Sequence, residues 1–187
     1  MRAARFGRIE TLEVLIKARA DVNLRDRNGW TALTWAVRSG KVEGMELLIK
    51  TGAALDHQDK DGWTAIMWAA FWGINPAVEV LIKAGADIDH QNSSGSTAIM
   101  RAAYNGKHEA VSKLIRAGAD LDHQNKEGIT ALIVAAFHGK DKVVKVLIEG
   151  GAEINLHTNH GWTALDWARK NGHAISVQLL ERQISNQ

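Results

Sequence analysis

Glycine recurs along this chain with a fixed step of 33 residues, at Gly29, Gly62, Gly95, Gly128 and Gly161. Two places after each comes threonine: Thr31, Thr64, Thr97, Thr130 and Thr163. A second series, Gly7, Gly40, Gly73, Gly106, Gly139 and Gly172, keeps the same step. A period of this length marks stacked supersecondary units that bury their apolar faces on one another, not a single globular core. Such arrays build extended surfaces and seldom catalytic pockets, so the period constrains function as well as fold.

Residues 26–58, 59–91, 92–124 and 125–157 align as four complete units, flanked by a leading fragment over 1–25 and a trailing one over 158–187. Each unit reads as hairpin, helix, tight turn, helix. The hairpin signal is a polar residue before glycine, as in Asn28-Gly29, Asp61-Gly62 and Ser94-Gly95. The threonine that follows suits the N-cap of a first helix. That helix is rich in alanine (Ala69-Ala70, Ala102-Ala103, Ala135-Ala136), which lets a neighbour pack close, and it ends at the second glycine series. Asn75-Pro76 is expected to open a second helix, asparagine as cap and proline at the first helical position. Second helices carry an apolar stripe (Val78, Leu81, Ile82; Val144, Leu147, Ile148), with Glu13–Lys17, Glu46–Lys50 and Glu79–Lys83 paired on the outer face.

With its glycine, threonine and leucine positions and its Gly-Ala ending (Gly52-Ala53, Gly85-Ala86, Gly118-Ala119, Gly151-Ala152), the unit resembles the ankyrin repeat. The resemblance covers essentially the whole chain. It implies an all-α solenoid of stacked helix-turn-helix units joined by β-hairpin loops, in six repeats with the first and last incomplete. One departure is consistent: the family's Thr-Pro-Leu-His becomes "TALT", "TAIM", "TAIM", "TALI" and "TALD". Met67, Met100 and Ile133 are expected to replace the lost polar bond by packing.

Composition bounds the function classes. The chain has no cysteine, hence neither disulfides nor a thiolate metal site, and its start has no signal-peptide pattern. The longest largely apolar stretch, residues 65–74, is far short of the ~20 residues that cross a bilayer. A monomer working in the cytoplasm, without a membrane, is the expectation. Glu181 replaces the stripe's isoleucine in the last helix, and Arg182-Gln183 stands where Gly-Ala would end it, as in a polar cap. The front, with Arg2, Arg5 and Arg8 around Phe6, reads either as an arginine-rich cap or as a cut through a longer array.

By resemblance to the family, hairpin tips and the exposed ends of first helices line a concave binding face. After the hairpin glycine stand Trp30, Trp63, Ser96, Ile129 and Trp162. Before the second glycine stand Arg38-Ser39, Phe71-Trp72, Tyr104-Asn105, Phe137-His138 and Lys170-Asn171. Trp and Tyr are favoured interface anchors. The expected partner-binding set is therefore Trp30, Trp63, Phe71, Trp72, Tyr104, Phe137 and Trp162, with Arg27, Arg38, Lys60 and Lys126 setting charge at the rim. Trp30 and Trp162 have an alternative role, packing across neighbouring hairpins. Trp35, Trp68 and Trp167 are expected in the core, and Arg101, at the equivalent place, must snorkel out or find a partner.

His57, His90 and His123 recur in "DHQ", with Asp56, Asp89 and Asp122 in the role of the family's asparagine. Rungs about 8–10 Å apart cannot share one zinc, whose ligand nitrogens lie at about 2.0–2.1 Å, so hairpin hydrogen bonding is the expected role. No phosphate-cradling loop, nucleophile elbow or His-Glu-x-x-His motif appears, and no enzyme activity, cofactor or metal is expected. The formal charge of +2 argues against phosphate-led binding, although front-end arginines and aromatics keep a nucleic-acid alternative open beside a purely structural segment of a longer scaffold. The reading is a module that binds a protein or peptide through its concave face.

Overall fold

The computed structural model describes residues 1–185. Among the described residues, twelve helices alternate between two layers. The inner layer holds α1 (Arg2–Phe6), α3 (Ala32–Arg38), α5 (Ala65–Trp72), α7 (Ala98–Tyr104), α9 (Ala131–Phe137) and α11 (Ala164–Lys170). The outer layer holds α2 (Ile9–Lys17), α4 (Val42–Lys50), α6 (Asn75–Ala84), α8 (His108–Arg116), α10 (Asp141–Glu149) and α12 (Ala174–Ile184). Each helix packs on its pair partner and on the same-layer helix of the adjoining unit, as an all-α repeat solenoid requires. No described helix is long and apolar enough to cross a membrane.

The alanine pairs explain the close inner stacking. Ala69, Ala70, Ala102, Ala103, Ala135 and Ala136 are all completely buried between neighbouring inner helices. Met67, Met100 and Ile133 fill the core beside them. On the outer helices Val78, Leu81, Val144 and Leu147 are fully buried, whereas Ile82 and Ile148 are half-buried.

Thr31, Thr64, Thr97, Thr130 and Thr163 occupy the N-cap of every inner helix after the first. Their hydroxyls accept from the backbone at Thr31, Thr130 and Thr163, while those of Thr64 and Thr97 have no partner among the described residues. Asn75 does not cap α6: Ile74 is the N-cap, and the Asn75 amide donates to Glu109 of the next unit. Nor do Glu13–Lys17, Glu46–Lys50 and Glu79–Lys83 form ion pairs among the described residues; Glu79 pairs instead with Lys113 across to α8. An exposed i,i+4 pair is worth so little that a neighbouring unit's lysine displaces it.

The hairpins are tighter than strand ladders. Among the described residues β pairing is one isolated bridge, His157 to Thr163. Each tip closes with two backbone bonds, such as Asp59 N–H to Trp63 C=O (3.0 Å) and Gly62 N–H to Asp59 C=O (3.1 Å). Successive tips then join to each other: Ser93 N–H donates to Asp61 C=O at 3.1 Å. Gly62 is required twice over, by its φ of 77° and because a Cβ there would lie 2.9 Å from the Ser93 nitrogen.

At the back end, α12 has no glycine to stop it and runs through Arg182-Gln183, while Glu181 pairs with Arg169 at 2.7 Å. At the front end the guanidinium of Arg5 lies 5.4 Å from the Phe6 ring centre and 4.8 Å from that of Trp35. The arginines leave Phe6, Val14, Leu15 and Leu24 exposed.

Candidate binding groove

The hairpins are organised by a side chain three residues before each glycine. Asp26 accepts from the amides of Asn28 (2.8 Å) and Trp30 (3.0 Å) through Oδ1, and from the Trp35 indole N–H (2.9 Å) through Oδ2. Asp59 repeats this with Asp61, Trp63 and Trp68, and also accepts from the indole of Trp30 in the preceding unit at 3.2 Å. Asn92 and Asn125 keep only the backbone part of the pattern. Partial burial pushes the Asp26 carboxyl up, but donors from Trp30, Asn28 and Trp35, with Lys60 nearby, outweigh it and hold the group below its ordinary value. These carboxylates were not singled out from sequence, although Asp, Asp, Asn, Asn and Thr recur at 26, 59, 92, 125 and 158 on the common period.

Held this way, Trp30 takes its alternative role of packing across to the neighbouring unit. Trp30 is 7% exposed, not a solvent-facing anchor, because its ring is enclosed by Trp35, Trp68 and Trp72 at 4.8, 5.2 and 5.9 Å. Trp35, Trp68 and Trp167 are half-buried, not enclosed in the core, although Trp68 and Trp167 pack against it. Their N–H must reach a hairpin carboxylate in the first two cases, and that turns the ring toward the groove. Trp63, Phe71 and Trp72 are half-buried around Trp68, with Trp72 stacked on it at 4.8 Å and Phe71 set edge-on to Trp63 at 5.4 Å.

A second aromatic group lies further along. Trp162 packs on Trp167 at 4.8 Å, Phe137 on Trp167 at 4.9 Å, and Tyr104 on His138 at 4.6 Å. Tyr104 and Phe137 are the most open of the expected aromatic anchors, at 43% and 38% exposure. Burial, then the charges of Lys140 and His173, lowers the His138 pKa and favours a neutral ring among them.

The expected rim cations divide. Arg27 and Lys60 are exposed. Arg38 lies over the Trp30, Trp35 and Trp72 rings at 5.3, 5.5 and 5.6 Å, so it is part of the aromatic surface. Lys126 donates through Nζ to the Ser93 carbonyl at 2.8 Å, tying two hairpin tips together. Asn105 and Asn171, on the expected reading positions, donate to Phe71 and Phe137 carbonyls at 2.8 and 2.9 Å and so fasten neighbouring inner helices.

Away from the groove, Asn23, Asp56, Asp89 and Asp122 each accept from a backbone N–H of the next unit, at 2.8, 2.9, 3.0 and 2.8 Å. His123 Nε2 lies 2.7 Å from the Gly95 carbonyl, while His57 and His90 Nε2 are buried without hydrogen-bond partners among the described residues. Among the described residues no three His, Cys, Asp or Glu side chains converge as metal ligands would.

The family model described as ankyrin repeats (3 copies) matches residues 1–92 and 95–186. Among solved structures, the chain is similar to an ankyrin repeat domain from Acinetobacter baumannii AYE, with 30% identity over 97% of this chain and 95% of that one and a TM-score of 0.88. No curated protein matches the sequence.

Proposed function

The chain belongs to the ankyrin-repeat family, and from that premise we propose that it binds a protein or peptide segment in the groove between its hairpins and inner helices. Ankyrin repeats are generally protein–protein interaction modules, and the fold is typically a non-enzymatic scaffold. The observation that carries the groove reading is the concentration of aromatic surface there: two groups of packed rings with Tyr104 and Phe137 open to solvent, flanked by Arg38 and Lys170. Aromatic rings and arginine are the side chains that dominate interface energetics. The central outer helices α4, α6, α8 and α10, by contrast, expose mainly charged side chains, and the outer layer's exposed apolar side chains, Val14, Leu15, Ile175 and Ile184, lie on the terminal helices α2 and α12.

The test is affinity capture with three forms of the chain, matched by helical circular dichroism. The groove variant Tyr104→Ala/Phe137→Ala should lose a partner that the parent and the outer-helix variant Lys50→Glu/Lys83→Glu both retain. Loss on the outer-helix variant alone would place the working surface on the opposite layer. Capture of nucleic acid with a steep salt dependence would replace the protein partner altogether.

A further inference from the structure

Two positions in each unit carry the groove's indoles, and both lapse in the same two units. Trp30 pairs with Trp35, Trp63 with Trp68, and Trp162 with Trp167. In the intervening units these positions are Ser96 with Arg101, and Ile129 with Val134. The missing rings leave a cavity of about 680 Å³ in the groove, floored by Met100, Ile133 and Val134 and walled by Tyr104, Phe137 and Trp167. That volume is within the range of sites that enclose a ligand group, roughly 300–1,000 Å³.

Arg101 gives the cavity its polarity. Its guanidinium lies 5.0 Å from the Trp63 ring centre and donates through Nη2 to Ser94 Oγ at 2.8 Å. Its Nε is buried with no hydrogen-bond partner, and no ion pair among the described residues includes it. Asn92 stands where the two preceding units have the carboxylate that accepts from tryptophan, so the unit that carries the cation lacks the corresponding anion. Nε is enclosed, but the remaining Nη hydrogens of this guanidinium lie beside an apolar hollow and are matched by a carboxylate, which can accept from both terminal nitrogens. Glu127, among the described residues the one carboxylate lining the cavity, is exposed on the hairpin side and repels an anion there.

We propose that this cavity receives a bulky apolar side chain of an extended peptide segment, with an aspartate or glutamate beside it in that segment engaging Arg101. The inference rests on the groove reading above and specifies the partner's chemistry within it. The apolar side chain occupies the space of the absent indoles against Val134 and Trp167, and the acidic residue lies toward Trp63.

A random-peptide display library selected against the intact chain tests this, with enriched peptides synthesised and titrated against variants. Val134→Trp refills the hollow with the ring found at 35, 68 and 167 on the same period, and is expected to weaken the peptides at least about tenfold. Arg101→Met, at a half-exposed position, should weaken an acidic peptide about tenfold but leave its Asp→Asn or Glu→Gln counterpart unchanged. Circular dichroism confirms that both variants are folded. Peptides without an acidic residue near a bulky apolar one, or equal binding of acidic and amide forms to the parent, would overturn the assignment to Arg101. Peptides that bind Val134→Trp undiminished but are lost on Arg38→Glu would sink the cavity while leaving the groove reading intact. Enrichment of peptides unaffected by any groove variant, or of none, would defeat both.

Discussion

Asp59 is the side chain on which the groove most depends, and its removal has a graded, calculable effect. Its Oδ1 accepts two hairpin amides at 3.0 and 2.9 Å, and its Oδ2 accepts two indole N–H groups at 2.9 and 3.2 Å, one from each of two units. Buried bonds to a charged acceptor are worth about 1.5–3 kcal/mol, but Asp59 is half-buried and its donors recover some water, so about 0.5–1 kcal/mol each is apt. Asp59→Ala should then cost roughly 2–4 kcal/mol. Asp59→Asn keeps both amide bonds, as Asn92 and Asn125 do in their units, but turns an NH2 group toward two indole donors. It should cost about 1–2 kcal/mol, and about half of that in a Trp68→Phe background where one indole donor is already gone. Urea unfolding reads these costs from the midpoint at constant slope, and the indole N–H proton resonances of Trp30 and Trp68 should shift in Asp59→Asn. An Asp59→Asn midpoint equal to the parent's, or a cost unchanged by Trp68→Phe, would refute the carboxylate–indole account.

Other perturbations separate local causes. Gly62→Ala combines positive φ with a backbone contact and should cost roughly 2 kcal/mol or more, against about 1 for Gly85→Ala, where φ is 86° but no atom lies within 4 Å; urea midpoints compare them. Asp166 forms a capping box with Thr163, and the hydrogen bonds from Thr163 hold its carboxyl below the ordinary value. Its contribution, about 1 kcal/mol, is thus present above the unfolded value near 3.9 and is lost as pH falls through the lower folded one. The melting temperatures of the parent and Asp166→Asn should differ at neutral pH and converge in acid. Leu81→Ala, at a fully buried position, should cost about 2–5 kcal/mol, and Tyr104→Ala, on the open groove, under about 1, a difference that urea midpoints read directly.

The solenoid was legible because periodic glycine, threonine and alanine report constraints that every unit shares: a tight tip, a cap, a close helix contact. The stripe residues Val78 and Leu81 were legible for the same reason. Where the indoles point was not. Trp30 and Trp35 are chemically alike, and which of them is enclosed depends on Asp26 and Asp59, one of which belongs to the next unit. The pairing of Lys113 with Glu79 and the bond from Asn105 to the Phe71 carbonyl also cross between units, beyond the reach of i,i+4 reasoning. Ser96, Ile129 and Arg101 stand out in the sequence where other units have tryptophan, yet only the neighbouring walls turn their shorter side chains into a cavity.

The groove as the partner-binding face is the central claim, and amide hydrogen exchange of the chain with and without a captured partner tests it most directly. Protection gained at the hairpin tips and at the ends of α5, α7 and α9, with the outer helices unchanged, is the predicted result. Protection confined to α4, α6 and α8 would contradict it and move function to the opposite layer.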